Sequence, residues 1–145
     1  MKKKCFLAGV GGMLGEAFYF EFSKDYELYC TDKDVNEKWL NYLNFCEKDN
    51  YKSEVIKFNP DYLFHIGAFT DLEYCEIHKD ETIKTNTDSV VSAVEISNDL
   101  KIPLLYISTA GIFDGTKDYY DENDVPKPIG VYASSKYEAE KYVIK

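Results

Sequence analysis

Tyr132 and Lys136 stand four residues apart in GVYASSKYEAEKYVIK, residues 130–145. On a helix that spacing puts a phenol and an ammonium on one face. A nearby cation favours phenolate and brings a tyrosine down from about 10 toward working pH, which equips it to pass a proton during carbonyl–alcohol interconversion. Upstream, the apolar run in YISTAGIFDG (106–115) ends in Ser108 and Thr109. These hydroxyls fall at the carboxyl end of an expected strand, the edge where open α/β sheets place their ligands. A hydroxyl there can hold a substrate carbonyl.

A second motif opens the chain. Gly9, Val10, Gly11, Gly12, Met13, Leu14 and Gly15 follow an apolar run and lead into a helical pattern, spaced G-x-x-G-x-x-G. Glycine is needed there because a side chain would block the turn and the approach of a pyrophosphate to the N–H groups at the helix start. Asp32 closes the next apolar run, about 20 residues beyond the loop, where a carboxylate can accept hydrogen bonds from both adenosine ribose hydroxyls. Its charge favours NAD(H) over NADP(H), although Lys33 beside it could receive a 2′-phosphate. Each signal is bland alone, since Tyr-x-x-x-Lys recurs by chance on helices and glycines mark many turns. Glycine loop, acid, hydroxyl and Tyr/Lys pair in this order are specific together.

The elements that must position these groups read as an α/β fold with one doubly wound parallel sheet, Rossmann-like, of about five strands with flanking helices. The runs at 4–9, 26–31, 62–68 and 103–109 are near-continuously apolar, as expected for parallel strands covered on both faces. A short third strand is expected near Leu43–Phe45. Helical spacing appears over 13–23, 51–58 and 80–100. Pro60, Pro103 and Pro126 fall at boundaries, and 117–130 reads as one polar loop. No repeat or linker divides the chain, so residues 1–145 are expected to form one nucleotide-binding domain.

Composition narrows the partners. With 145 residues and 45% hydrophobic content the chain can bury one core. A formal net charge of −9 sets a repulsive field against nucleic acid and anionic membrane surfaces. No stretch approaches the roughly 20 apolar residues of a membrane helix, and CFLAGV is too short for a leader. Cys5, Cys30, Cys46 and Cys75 form no C-x-x-C pair and read as small buried hydrophobes in a reducing, cytoplasmic compartment.

With these motifs in place, the chain resembles the N-terminal, cofactor-binding part of an extended short-chain dehydrogenase/reductase, and most closely the dTDP-4-dehydrorhamnose reductases of nucleotide-sugar metabolism. The most specific stretch is ISTAGIFDGTKDYYDENDVPKPIGVYASSKYEAEKYV (107–143). The resemblance implies Thr109 as the hydroxyl that orients the substrate carbonyl, Tyr132 as general acid, and Lys136 as partner to the tyrosine and the nicotinamide ribose. It also implies that Gly67, Ala68 and Phe69 run past the cofactor, that Asn86 matches a family asparagine, and that Asn44 and Phe45 lie by the adenine. Ser108 is expected to support the strand end rather than react.

Departures from the family pattern bear on the pocket. Ala110 and Gly111 stand where the family has an acid and an aromatic, Ala133 replaces a glycine, and His65 replaces an asparagine. His65 reads as a core histidine satisfied by backbone in preference to a proton carrier. Absence of an Asp-Glu pair after Thr109 argues against the sugar 4,6-dehydratases.

Family members continue for a further substrate lobe, which these residues do not supply. The chain is therefore expected to be part of a longer enzyme, or a short one completed by a partner or by self-association. Three activities fit the resemblance: an NAD(P)-dependent reductase of a nucleotide-activated 4-keto-deoxysugar, a nucleotide-sugar epimerase, or a non-catalytic dinucleotide-binding module like the regulatory subunit of methionine adenosyltransferase.

Overall fold

Alternation along the first strand explains how both faces of the sheet come to be covered. In β1, Lys4–Ala8, Cys5 and Leu7 point to one side while Phe6 and Ala8 point to the other, and all four are fully buried. The computed structural model describes residues 1–144. Its order is β1, α1 (Met13–Phe22), β2 (Glu27–Asp32), β3 (Leu40–Tyr42), α2 (Lys48–Phe58), β4 (Tyr62–His65), α3 (Leu72–Ile77), α4 (Lys79–Ile83), a π-helical turn (Lys84–Asp88), α5 (Ser89–Leu100), β5 (Leu104–Tyr106), a 3-10 turn (Ala110–Ile112) and α6 (Gly130–Val143).

The strands form one five-stranded parallel sheet in the order β3-β2-β1-β4-β5, the doubly wound architecture expected. One core packs Phe6, Leu63, Tyr51, Val55, Ala93 and Ile96 between the sheet and helices α2 and α5. On the opposite face Leu7, Val10, Phe64 and Ile66 meet Phe18 and Phe22 of α1. Ala8 pairs with Thr31 and with His65, and His65 pairs with Tyr106, so these residues form one row across the sheet. Their successors in the chain, Gly9, Asp32, Ile66 and Ile107, therefore emerge at a single carboxyl edge. The register alone gathers the motifs.

Several expected bounds shift. The third strand is Leu40–Tyr42 and not Leu43–Phe45. Asn44 accepts from the Cys46 N–H and donates to Glu47, and Glu47 N–H donates to the Asn44 carbonyl, so a local turn takes the backbone out of the sheet. Leu43 and Phe45 bury themselves in the core instead. The helix expected over 80–100 is interrupted by the π-helical turn, and β4 ends at His65, leaving 66–68 to the loop at the sheet edge. Cys5, Cys30 and Cys75 are buried as expected; Cys46 is half-buried, and all four are free. Among the described residues no helix is long and apolar enough to cross a membrane.

Candidate active site

The glycine turn is built by close backbone approach. Gly9 adopts φ +76°, and a Cβ there would lie 2.3 Å from the Gly67 Cα; one at Gly15 would lie 2.2 Å from the Val10 carbonyl oxygen. Gly12 differs, since nothing lies within 4 Å of its missing Cβ. It precedes α1 with no side-chain cap, leaving the first-turn N–H groups open to a ligand. Gly11 N–H donates to Asp32 Oδ2 at 2.7 Å and Asp34 N–H to Oδ1 at 3.1 Å, so the carboxylate is fixed by two backbone donors and keeps lone pairs for others.

A cavity of about 520 Å³ opens along this edge. Asp32 and Lys33 line it together with Gly9, Gly12, Met13, Leu14 and Gly15, and Ile107, Ser108, Tyr132 and Lys136 are also on its wall. Gly67, Ala68, Phe69 and Thr70 border it, as do Phe45, Cys46 and Thr85. Its volume falls within the usual range of small-molecule sites.

Helix α6 owes its placement to side-chain ties from three other elements and from the loop after β5. Glu76 of α3 accepts the Val131 N–H at 2.6 Å, putting a carboxylate on the helix N-terminus, where the dipole favours it. Asn86 of the π-helical turn pairs with both the N–H (2.8 Å) and the carbonyl (3.0 Å) of Phe69 and donates to Ser135 Oγ at 3.1 Å. Thr87 Oγ1 donates to the Ser135 carbonyl at 2.9 Å. From the β5 side, Tyr106 donates its hydroxyl to the Lys136 carbonyl at 3.2 Å, and Ser108 donates to Glu140. A π-helical turn widens the helix at the place where these donors must point two ways at once.

Lys136 is 3% exposed. Its ammonium donates to the Ile107 carbonyl at 2.6 Å and lies 4.3 Å above the Tyr106 ring. Burial lowers it to about 8, against an upward pull from Glu140. Among the described residues no hydrogen bond joins Lys136 to Tyr132, so the ammonium is anchored to the strand end while the phenol stays free for a ligand.

His65 corrects one expectation. It is fully buried, yet its ring is held by side chains, Tyr51 Oη at 3.1 Å from Nδ1 and Ser89 Oγ at 3.1 Å from Nε2. Because Ser89 spends its proton on the Thr85 carbonyl at 2.6 Å, it accepts from His65, and Tyr51 donates to Nδ1. Burial, then the Lys136 charge, push the imidazole down to about 3, so it stays neutral.

Most residues singled out in the sequence come together on the cavity wall; four do not. Gly11 turns its amide to Asp32, Asn44 serves the turn before α2, and Asn86 acts from beneath through Phe69 and Ser135. Thr109 accepts from Gly111 N–H at 3.1 Å and caps the 3-10 turn. It sits beside α6 nonetheless, because a Cβ on Gly111 would lie 3.3 Å from Thr109 Oγ1 and 4.0 Å from the Ala133 Cβ. Ser108, not Thr109, faces the cavity, and its bond to Glu140 fits the supporting role expected of it. Sequence reasoning missed Glu76, Ser135 and Glu140, along with Cys46 and Thr85. Only Ser135 and Glu140 carried a local signal, their helical spacing from Tyr132 and Lys136.

This geometry has close counterparts. A hypothetical dTDP-4-dehydrorhamnose reductase from Sulfolobus tokodaii superposes with a TM-score of 0.92 at 28% identity over 100% of this chain and 52% of that one. The dTDP-4-dehydrorhamnose reductase of Bacillus anthracis str. Ames, solved in complex with NADP, gives 0.89 at 27% identity over 99% and 50%. Methionine adenosyltransferase 2 subunit beta of Bos taurus is 27% identical across 99% of this chain and 43% of its own length. The chain thus spans about half, or less, of the relatives it matches. The model of the family described as RmlD substrate binding domain matches residues 3–145, and the chain belongs to that family.

Proposed function

We propose that the chain is the dinucleotide-binding part of an NAD(P)-dependent reductase acting on the 4-keto group of a nucleotide-activated deoxysugar. The observation that carries this reading is the single cavity bordered by the Asp32 carboxylate, the glycine turn, Tyr132 and Lys136. The turn fits a dinucleotide because Gly9 and Gly15, lacking side chains, let it fold tightly against the backbone of Gly67 and Val10, while Gly12 leaves open space beside free helix N–H groups. Asp32 suits a ribose diol, which favours NAD(H), and Lys33 offers a cation for a 2′-phosphate.

A bound nicotinamide dinucleotide would supply the hydride. The protein's own part is proton delivery and positioning. Tyr132 gives its phenolic proton to the carbonyl oxygen as that oxygen becomes an alcohol. Lys136, fixed on the Ile107 carbonyl, stabilises the tyrosinate left behind and offers N–H donors to a ribose. Thr109 orients the carbonyl once its hydroxyl turns from the 3-10 turn, and burial of Lys136 lets its charge act undiluted by water.

Consumption of reduced nicotinamide with a dTDP-4-keto-6-deoxysugar tests the reading. Tyr132→Phe is expected to abolish turnover and leave dinucleotide affinity within about twofold, as befits a group used only in the transition state. Equal loss of both would overturn the assigned role. A second reading, a dinucleotide-binding module that serves another chain, is favoured by the likeness to a protein named as a subunit. It predicts binding without reduction of any keto-sugar.

A further inference from the structure

Three ionisable side chains succeed one another at one-turn intervals along α6: Tyr132, Lys136 and Glu140. The proposed reduction, on which this inference rests, uses the first two and leaves Glu140 without a role. Glu140 is half-buried and accepts the hydroxyl of Ser108, a residue of the cavity wall. Its neighbour Lys136 is buried with only a carbonyl and an aromatic face for company, and neither brings a full negative charge. Around Lys136 the other titratable groups are the neutral His65 from β4, Tyr106 from β5 and Tyr132 from α6. Glu140 supplies the carboxylate of this set.

We propose that Glu140 is a positioning residue that provides the counter-charge for the catalytic ammonium from a fixed distance, held there by its hydrogen bond to Ser108. Fixing the carboxylate on Ser108 matters as much as its charge. Among the described residues Lys136 has no carboxylate in ion-pair contact; a contact pair would draw Nζ off the Ile107 carbonyl and away from the cavity. Held back by Ser108, the carboxylate opposes the cost of burying the ammonium without competing for its donors. Its field raises the lysine's hold on its proton, against burial.

Glu140→Gln separates charge from tie, because the amide can still accept from Ser108. The test is a proton titration of Lys136 followed by NMR in chain carrying 13C-labelled lysine, with the signal identified by its loss in Lys136→Met. No substrate is required. In Glu140→Gln the Lys136 midpoint is expected to fall by about half a pH unit or more, the lower bound being that of a unit charge just beyond ion-pair contact under water-like screening. An unchanged midpoint overturns the proposal. Should the Gln chain fail to fold, Glu140→Asp withdraws the charge by one methylene and must move the midpoint the same way by less; identical titration overturns the proposal there too. Failure of the wild-type chain to bind a nicotinamide dinucleotide would sink the reductase reading and leave this titration unaffected.

Discussion

The glycine turn and the start of α6 border one cavity, yet they are held in place by opposite means. Around the turn the constraints are mostly backbone against backbone: Gly9 on Gly67, Gly15 on Val10, and the Thr31 carbonyl accepting both Gly9 N–H at 2.8 Å and Val10 N–H at 3.1 Å, with the Asp32 carboxylate on Gly11 N–H as the side-chain exception. At α6 the constraints are side chains reaching across the fold, from Glu76, Asn86, Thr87, Tyr106 and Ser108. A phosphate cradle needs empty space and exposed N–H groups, which glycine provides. A proton-transfer pair needs orientation, which only multiple directed bonds provide.

The largest effect is expected at Gly15. A Cβ placed 2.2 Å from backbone leaves no flexible group to yield, so Gly15→Ala is expected to cost about 3 kcal/mol or more in chemical denaturation and to abolish dinucleotide binding. Gly12→Ala should behave differently. With open space around it, the fold should melt within about 1 °C of wild type while dinucleotide affinity falls several-fold, because the methyl occupies the ligand's side of the turn. Equal damage from both would show that the turn is merely structural.

Asn86→Ala probes the other region. It strips partners from the Phe69 N–H and carbonyl and from Ser135 Oγ at once, with an expected loss of about 2 kcal/mol. Any residual turnover and dinucleotide affinity should both fall, since two of the lost bonds hold Phe69 on the cavity wall and the third ties α6.

Lys136→Met tests the cost of the buried ammonium. With its pKa lowered from 10.5 to about 8 by burial, Lys136 binds fewer protons in the folded chain than in the unfolded one between those values. Its contribution to stability therefore rises with pH across that window, and below it the full cost of the buried charge, on the order of 3 kcal/mol, is present. The gain of Met over wild type in denaturation free energy should be largest below pH 8 and shrink toward pH 10.5. A pH-independent difference would place Lys136 outside the charge account. The smallest effect is expected at Asp114, held down to about 2 by hydrogen bonds from Tyr120 and Thr116. Asp114→Asn should quicken proteolysis of the loop around 114–124 with little change in melting; the carboxylate's support is complete above its ordinary range and fades as pH falls through about 2.

Legibility in the sequence divides along the same line. The glycines, Asp32 and the Tyr132–Lys136 spacing are local patterns, and the parallel register carries them to one edge without further information. The third strand failed because Asn44 turns the backbone with its own side chain, a competition that apolar content does not reveal. The helix over 80–100 was legible, but not its π-helical turn, which exists for bonds to Phe69 and Ser135 far away in the chain. Glu76 gave no sign at all, since its role arises only once α3 meets the N-terminus of α6.

A crystal structure of the chain grown with NADH would show directly whether one cavity serves both cradle and proton donor. The adenosine ribose is expected on the Asp32 carboxylate, the pyrophosphate at the start of α1 and the nicotinamide beside Tyr132 and Lys136. A dinucleotide bound away from the glycine turn, or laid with its adenine against Tyr132, would contradict it.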